Sequence, residues 1–502
     1  MVAGQATKRR VVVIGAGIGG LTAAALLARR GYEVVAFDQA EVPGGCASTF
    51  RRRGFTFDVG ATQVAGLEPG GIHQQIFAEL DMPLPAATPC DPACAVYLPG
   101  EAAPIAVWRD PQAWRAERQR QFPQSEPFWQ LLGSLFQASW RFQGREPVLP
   151  PRNGWDLWQL LSAVRPDTFI TAPFMFSTVG QLLGALGLAG DRRLKTFLDL
   201  QLKLYSQVGA DETALLYAAT ALGVSQAPLG LFHLEGSMQV LSDRLHAALG
   251  RDGGKLLMRH SVERIHLHEG QVTGVTVQCR KTGKSWMETA DWVVGNVTVQ
   301  DLVRLLGDQA PTGYRRRVKR LPEASGAFVV YLGVDQRAIP ADCPPHLQFL
   351  YDYDGPIGEN NSLFVSVSRP GDGRAPGGKA TIIASSFTDL TQWQQTPDYP
   401  ALKQRYTAAA IARLSQFFDL RPDYMIHVEA GTPRTFARYT GRDRGAVGGL
   451  GMRLSTFGPF GFANRTPIPN LWLVGDCTHP GEGTAGVSYS ALTAVRQIDA
   501  AQ

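Results

Sequence analysis

Several features that mark common protein classes are missing from this sequence of 502 residues. Its six cysteines form no Cys-x-x-Cys pair and its nine histidines show no metal-ligand spacing, so we expect a reduced protein without disulfides or a metal site. Residues 1–10 hold no apolar core, so no targeting segment is predicted. The charge is nearly balanced, with 49 Lys and Arg against 44 Asp and Glu. Its short arginine clusters form no basic stripe, which argues against nucleic acid and favours an anionic membrane surface as a partner.

A convincing membrane-spanning run is also missing. Thr168–Gly190 carries no charged residue, but Pro173 and four glycines interrupt it. Six of the ten tryptophans lie between residues 108 and 158. Two interpretations remain open, namely helices that line an apolar cavity or dip into one leaflet, and ordinary buried helices. We expect a cytoplasmic protein that associates peripherally with a membrane.

What the sequence does contain is a dinucleotide-binding pattern near its amino terminus. Val11–Ile14 predicts a buried strand, a glycine turn follows, Leu21–Arg30 predicts a helix, and a second strand ends on Asp38. In this order the turn lets backbone N–H groups approach a pyrophosphate at the positive end of the helix. The carboxylate of Asp38 is placed to bind ribose hydroxyls.

Two further glycine turns indicate which dinucleotide is bound. Gly44 and Gly45 come soon after the acid and resemble the second phosphate-contacting turn of FAD-binding folds of the glutathione-reductase and amine-oxidase type. Near the carboxyl end, a predicted strand finishes in Gly475-Asp476 and a glycine loop leads into a helix at about Val487. Such a carboxylate suits a ribityl hydroxyl, and a helix amino terminus stabilises negative charge on a reduced flavin.

The remaining strand and helix patterns predict an α/β protein with two interleaved domains. The first is a Rossmann-like FAD-binding domain built from residues 1–95, 231–300 and 431–502. The second is a substrate domain. It has a helical part at residues 96–230, which is the candidate for membrane association, and a mixed sheet at residues 301–430.

The blocks GAGIGGLTAAALLARRGYEV, PGGCAST, FTFDVGAT and NLWLVGDCTHPGEGTAGV resemble the carotenoid desaturase and isomerase family of FAD oxidoreductases over nearly the whole chain. Within the family, the chain is most similar to the cyanobacterial carotenoid C-3′,4′ desaturases. The resemblance implies that FAD is bound by Gly15, Ala16, Gly17, Ile18, Gly19, Gly20, Asp38, Gly44, Gly45, Gly60, Ala61, Val262, Gly475, Asp476 and Val487. Many relatives have Glu in place of Asp38 and Arg in place of Cys46, and Arg51 or Arg53 is a candidate to supply the missing guanidinium.

The resemblance implies a desaturase that forms a C=C bond in a carotenoid by hydride transfer to the flavin, with a quinone or oxygen as the electron acceptor. Three alternatives stay open: a carotenoid isomerase that uses reduced FAD, a prenyl-binding escort protein without catalysis, and an amine oxidase. His479 and Glu482 lie in the loop expected to face the flavin and are candidates for proton handling. The alternative is that His479 only shapes the loop and Glu482 caps the helix.

Overall fold

The computed structural model of the protein describes residues 9–501. In these residues the strands are β1 (Arg10–Ile14), β2 (Glu33–Asp38), β3 (Thr49–Arg52), β4 (Phe55–Asp58), β5 (Ala87–Pro89), β6 (Cys94–Tyr97), β7 (Ile105–Val107), β8 (Phe232–Leu234), β9 (Lys255–Met258), β10 (His260–His268), β11 (Gln271–Cys279), β12 (Ser285–Thr289), β13 (Trp292–Gly295), β14 (Gly326–Asp335), β15 (His346–Leu350), β16 (Ser362–Val367), β17 (Lys379–Thr388), β18 (Met425–Gly431) and β19 (Leu471–Leu473). The α-helices are α1 (Ile18–Arg29), α2 (Ile72–Glu79), α3 (Pro111–Gln121), α4 (Glu126–Gln143), α5 (Gly154–Ala163), α6 (Val179–Ala185), α7 (Arg192–Ser206), α8 (Leu215–Ser225), α9 (Gln239–Arg251), α10 (Val299–Leu306), α11 (Thr312–Lys319), α12 (Leu390–Gln395), α13 (Tyr399–Leu414), α14 (Pro433–Thr440) and α15 (Thr484–Asp499).

The first sheet consists of five parallel strands in the order β19-β13-β1-β2-β9. Its central strand β1 is apolar from Val11 to Ile14 because both faces of the sheet are covered. Val11 and Val13 pack with α1, α9 and α15, whereas Val12 and Ile14 face the antiparallel layer β10–β12 and α10. Strands from three distant parts of the sequence, residues 10–38, 255–295 and 471–473, therefore build one dinucleotide-binding sheet.

The second sheet has seven strands in the order β18-β14-β17-β16-β15-β6-β7. It is mixed, as predicted, because β6 runs parallel to β15 while the other neighbours are antiparallel. Successive side chains of β14 point to opposite faces. Val330 and Leu332 pack in the core that includes α13, and Val329 and Tyr331 contact Phe57 of the β3–β4 hairpin. The hairpin thus joins the two sheets.

The region between residues 111 and 225 is helical, as predicted. Helices α3, α4, α6, α7 and α8 share one core with β6 and β7. Aromatic rings fill much of this core; those of Trp114 and Trp129, for example, are 5.7 Å apart at an angle of 72°. The tryptophan-rich segment therefore contributes buried packing as well as surface.

The uncharged segment Thr168–Gly190 does not form one long helix. It contains most of a 3₁₀ segment, Pro166–Phe174, followed by α6, and Pro173 lies inside the first of these. Phe169 and Phe176 are 65% and 61% exposed, so these side chains are not part of the core. Among residues 9–501, no helix combines the length and the apolar character needed to cross a membrane.

Candidate flavin-binding and catalytic site

The first glycine turn connects β1 to α1, and close contacts restrict its residues. A Cβ on Gly20 would lie 2.0 Å from the carbonyl oxygen of Gly15, so only glycine lets α1 pack this closely on β1. Gly17 is the N-cap of α1 and has no side chain to satisfy the first N–H groups of the helix. These N–H groups are available to an anion at the positive end of the helix.

The second glycine turn packs directly against the first. The N–H of Gly44 donates to the carbonyl oxygen of Ala16 at 2.8 Å. A Cβ on Gly45 would lie 3.3 Å from the Cα of Gly17, and Gly45 has a φ of +58°. The two turns form a cradle from which side chains are excluded, as a closely approached pyrophosphate requires.

Asp38 ends β2 beside this cradle. Its two carboxylate oxygens accept hydrogen bonds from the backbone N–H groups of Ala16 and Ala40, both at 2.7 Å. Burial raises the pKa of Asp38, and the two N–H donors oppose that rise. Each oxygen keeps a lone pair for a ribose hydroxyl.

These elements surround a cavity of about 410 Å³. Twelve of the fifteen residues predicted to bind FAD line it, namely Gly15, Gly17, Ile18, Gly19, Asp38, Gly44, Gly45, Gly60, Ala61, Val262, Asp476 and Val487. The other three, Ala16, Gly20 and Gly475, lie outside the lining and support the turns. Helix α15 begins at Thr484, earlier than predicted, so Val487 belongs to its first turn.

Asn296, which sequence reasoning missed, lies between the amino-terminal and carboxyl-terminal glycine motifs. Its side-chain amide lies directly against both motifs. A Cβ added to Gly17 would lie 2.8 Å from Nδ2 of Asn296, and a Cβ added to Gly475 would lie 2.7 Å from Oδ1. The only signal in the sequence is its position directly after β13. Asn296 lines the cavity and fixes the spacing of the two motifs.

Arg442 is a second residue of the site that the sequence did not reveal. Its Nη1 lies 2.8 Å from Oδ2 of Asp476, and its Nε donates to the carbonyl oxygen of Ala446 at 2.7 Å. Burial lowers the pKa of Arg442, but Asp476 and neighbouring groups raise it by more, so the guanidinium stays charged. Arg51 and Arg53, the predicted replacements for the missing arginine, are exposed and do not line the cavity.

Glu482 lies where the first cavity meets a second one of about 390 Å³. Its Oε2 accepts a hydrogen bond from Nε2 of Gln207 at 2.8 Å. Burial raises the pKa of Glu482 well above its usual value, and the hydrogen bond from Gln207 opposes that rise. The N-cap of α15 is Gly483, without a side-chain cap, so the alternative that Glu482 caps this helix is wrong.

His479, the other predicted proton-handling residue, lines neither cavity. Its Nε2 lies 2.9 Å from Nε2 and 3.3 Å from Oε1 of the side-chain amide of Gln143 on α4. Burial lowers the pKa of His479 to about 4, so the ring is neutral at pH 7. The structure therefore separates the two candidates, because only Glu482 faces the cavities.

The second cavity is apolar over most of its surface. Aromatic and aliphatic side chains line it, including Trp140, Tyr205, Tyr217, Val224, Leu231, Phe364, Phe457 and Tyr489. Gly60, Ala61 and Glu482 belong to both cavities. The site can therefore bring a dinucleotide in one cavity into contact with an apolar molecule in the other.

The chain was compared with known proteins. Residues 13–80 match the family described as NAD(P)-binding Rossmann-like domain. Prolycopene isomerase 2 of an Oncidium hybrid is 26% identical, with 99% of this chain and 84% of that protein aligned. The zeta-carotene-forming phytoene desaturase of Myxococcus xanthus is also 26% identical, with 98% of this chain and 94% of that protein aligned.

Solved structures share the fold at lower sequence identity. An oxidoreductase from Methanosarcina mazei has a TM-score of 0.67 and 17% identity, covering 97% of this chain and all of that one. Cyclohexylamine oxidase from Brevibacterium oxydans has a TM-score of 0.61 and 17% identity, covering 98% of this chain and all of that one. The predicted fold is thus confirmed. The chain is also similar over nearly its whole length to carotenoid desaturases and isomerases, in agreement with the resemblance seen in its motifs.

Proposed function

We propose that this chain, a homologue of carotenoid desaturases and isomerases, is an FAD-dependent desaturase that forms a C=C bond in a long apolar polyene. The specific reaction proposed is C-3′,4′ desaturation of a monocyclic carotenoid. The observation that carries the proposal is the junction of the two cavities at Glu482–Thr484. One cavity has the glycine cradle and acidic residues that suit FAD, and the other has the apolar walls that suit a polyene.

The residues that would hold FAD come from both ends of the chain. The glycine turns offer N–H groups to the pyrophosphate, Asp38 accepts from the ribose, and Asp476 accepts from the ribityl chain. The amino terminus of α15 offers unpaired N–H groups to the pyrimidine ring of the flavin. When bound, FAD supplies the acceptor for a hydride that leaves an allylic carbon.

The protein's own contribution at the junction is to align the substrate and to handle a proton. The walls of the second cavity exclude water from the polyene. Gln207 fixes one oxygen of Glu482, and the other oxygen has no partner among residues 9–501. The raised pKa makes the ionised form of Glu482 a stronger base than an ordinary carboxylate. Conjugation spreads the developing positive charge, which lowers the demand on that base.

The test is the visible spectrum of the flavin-loaded protein, recorded without oxygen before and after a monocyclic carotenoid in liposomes is added. Loss of the oxidised-flavin absorbance together with a red-shifted carotenoid spectrum is the expected result. An unchanged flavin and an unshifted carotenoid would refute the desaturase proposal. Adding a quinone or oxygen afterwards, and following the return of flavin absorbance, identifies the electron acceptor.

A carotenoid isomerase is the second candidate, because full-length relatives include proteins described as prolycopene isomerases. The same two cavities serve either reaction. Product mass separates the candidates, since desaturation removes two hydrogens and isomerisation leaves the mass unchanged. The isomerase would require pre-reduced flavin.

Membrane association is the remaining part of the proposal. The apolar patch is defined as the exposed apolar side chains of α5, of the 3₁₀ segment Pro166–Phe174 and the two residues after it, and of the 3₁₀ turn Gly458–Phe460: Leu157, Trp158, Leu161, Phe169, Ile170, Met175, Phe176 and Phe460. The rings of Phe176 and Phe460 are 6.1 Å apart. Phe457, whose carbonyl oxygen accepts a hydrogen bond from the N–H of Phe460, lines the second cavity. The patch therefore adjoins the cavity that would receive a lipid-dissolved substrate.

Co-sedimentation with liposomes tests the apolar patch. We expect the wild-type protein to pellet with liposomes and the variant Phe169→Ser/Phe176→Ser to stay mostly in the supernatant. Met287→Ser is the matched control, because Met287 is 52% exposed on β12 and outside the patch. Equal sedimentation of all three proteins, or a wild-type protein that stays in the supernatant, would contradict this assignment.

A further inference from the structure

The residue directly after the second glycine turn is Cys46, which lines the cavity. A thiol cannot neutralise a pyrophosphate, and burial raises the pKa of Cys46, so the thiol stays uncharged. The N–H groups of the glycine cradle would then face two phosphate charges without a cation on this turn.

Arg442 brings a guanidinium to the same place from a distant part of the chain. It follows α14, lines the cavity together with Gly45 and Cys46, and lies on the side of Asp476. Its Nε is fixed by Ala446 and its Nη1 by Asp476. Its Nη2 is buried and has no acceptor among residues 9–501. A buried donor without an acceptor is costly, and a phosphate oxygen would satisfy it.

We propose that Arg442 binds the pyrophosphate of FAD and supplies the positive charge that the second glycine turn lacks. The inference rests on the FAD site proposed above. The contacts with Ala446 and Asp476 hold the guanidinium of Arg442 in one orientation. An arginine held in this way presents its remaining N–H groups to a phosphate at little entropic cost. Asp476 both orients Arg442 and keeps a lone pair for the ribityl chain.

The test measures binding to the apoprotein by fluorescence titration, with FAD and with ADP-ribose as probes. ADP-ribose contains the pyrophosphate but neither the flavin nor the ribityl chain. We expect Arg442→Gln to weaken the binding of both probes by roughly 10- to 100-fold, the range of one charge-assisted hydrogen bond. Arg53→Gln, which removes an exposed arginine of the same region, is the matched control and should leave both affinities unchanged.

A second pair of variants keeps the result interpretable if Arg442→Gln perturbs folding. Arg442→Lys retains the charge and should bind both probes with intermediate affinity. Cys46→Arg combined with Arg442→Gln returns an arginine to the glycine turn and should restore most of the affinity for both probes.

Three results separate the proposal from its alternatives. If Arg442→Gln weakens FAD binding but not ADP-ribose binding, Arg442 acts only through Asp476 and the proposal is overturned. Unchanged affinity for both probes overturns it as well. A wild-type protein that binds ADP-ribose through Arg442 but does not bind FAD would refute the proposed function and leave the pyrophosphate contact in place.

Discussion

Replacing Glu482 by Gln tests whether the carboxyl at the junction of the cavities is protonated in the folded protein. A glutamine side chain has the shape of the protonated acid, and its carbonyl oxygen can accept the same hydrogen bond from Gln207. It cannot ionise. The variant therefore preserves the resting structure and removes the titration alone.

The expected difference in unfolding free energy between the wild type and the variant follows from the linkage between proton binding and folding. Burial raises the pKa of Glu482, so above about pH 4.3, the pKa of glutamate in an unfolded chain, the folded protein binds more protons than the unfolded one. The stability of the wild type must then fall, relative to Glu482→Gln, as the pH rises. The slope approaches about 1.4 kcal/mol per pH unit and levels off above the pKa of the folded state.

Urea unfolding of both apoproteins at several pH values between 5 and 8 measures the difference in their free energies of unfolding. We expect the variant to be the more stable protein at each of these pH values, and we expect the difference to increase as the pH rises. Glu146→Gln is the control, because Glu146 lines the second cavity but is 40% exposed beside Arg496. A stability difference that does not change with pH would refute the raised pKa of Glu482. Activity of the loaded variant should fall by about 10²- to 10⁴-fold, as for loss of a general acid or base.

Three further predictions concern other parts of the structure. Arg374→Met should cost about 3–5 kcal/mol of unfolding free energy, measured in urea at pH 7, because it leaves the carboxylate of Asp58, 2% exposed, without its ion pair; a cost below about 1 kcal/mol would contradict this. His479→Gln should have an activity within a few fold of the wild-type value, and the pH profile of activity should be unchanged between pH 5 and pH 8, because His479 is neutral above about pH 4. A hundredfold loss of activity would show that the ring acts in catalysis. Gly45→Ala should weaken FAD binding by roughly tenfold or more in a fluorescence titration, because the new Cβ would lie 3.3 Å from the Cα of Gly17 in the cradle; unchanged affinity would remove this turn from the binding site.

Those parts of the fold that depend on neighbouring residues were predictable from the sequence. The unit from β1 to Asp38 lies within 30 residues, and each of its signals, an apolar strand, a glycine turn, a helix and an acid, is local. The strand before Asp476 could be read in the same way. The start of α15 was placed too late because its N-cap is Gly483, one of several glycines in the loop, and its identity as a cap depends on backbone conformation.

The residues that complete the site could not be found in this way. Arg442 meets Asp476, and Gln207 meets Glu482, across long stretches of chain. A hydrophobic pattern indicates which face of a helix or strand is buried, but it does not indicate which distant loop covers that face. The resemblance to the family drew attention to the lack of an arginine at Cys46, but the position of Arg442 in the cavity could be seen only from the packing of the loop after α14.

The strand order of the first sheet has a consequence for the synthesis of the protein. Residues 10–14 form the central strand, yet one of its neighbours is residues 292–295 and the sheet is completed by residues 471–473. While the ribosome is still translating the middle of the message, β1 lacks that neighbour and the early glycine turns lack the opposite wall of their cavity. The cofactor can therefore be loaded only after residues 471–487 have been made. Cells must shield the early apolar strands until then, and a premature stop codon before residue 471 would abolish flavin binding rather than trim an appendage.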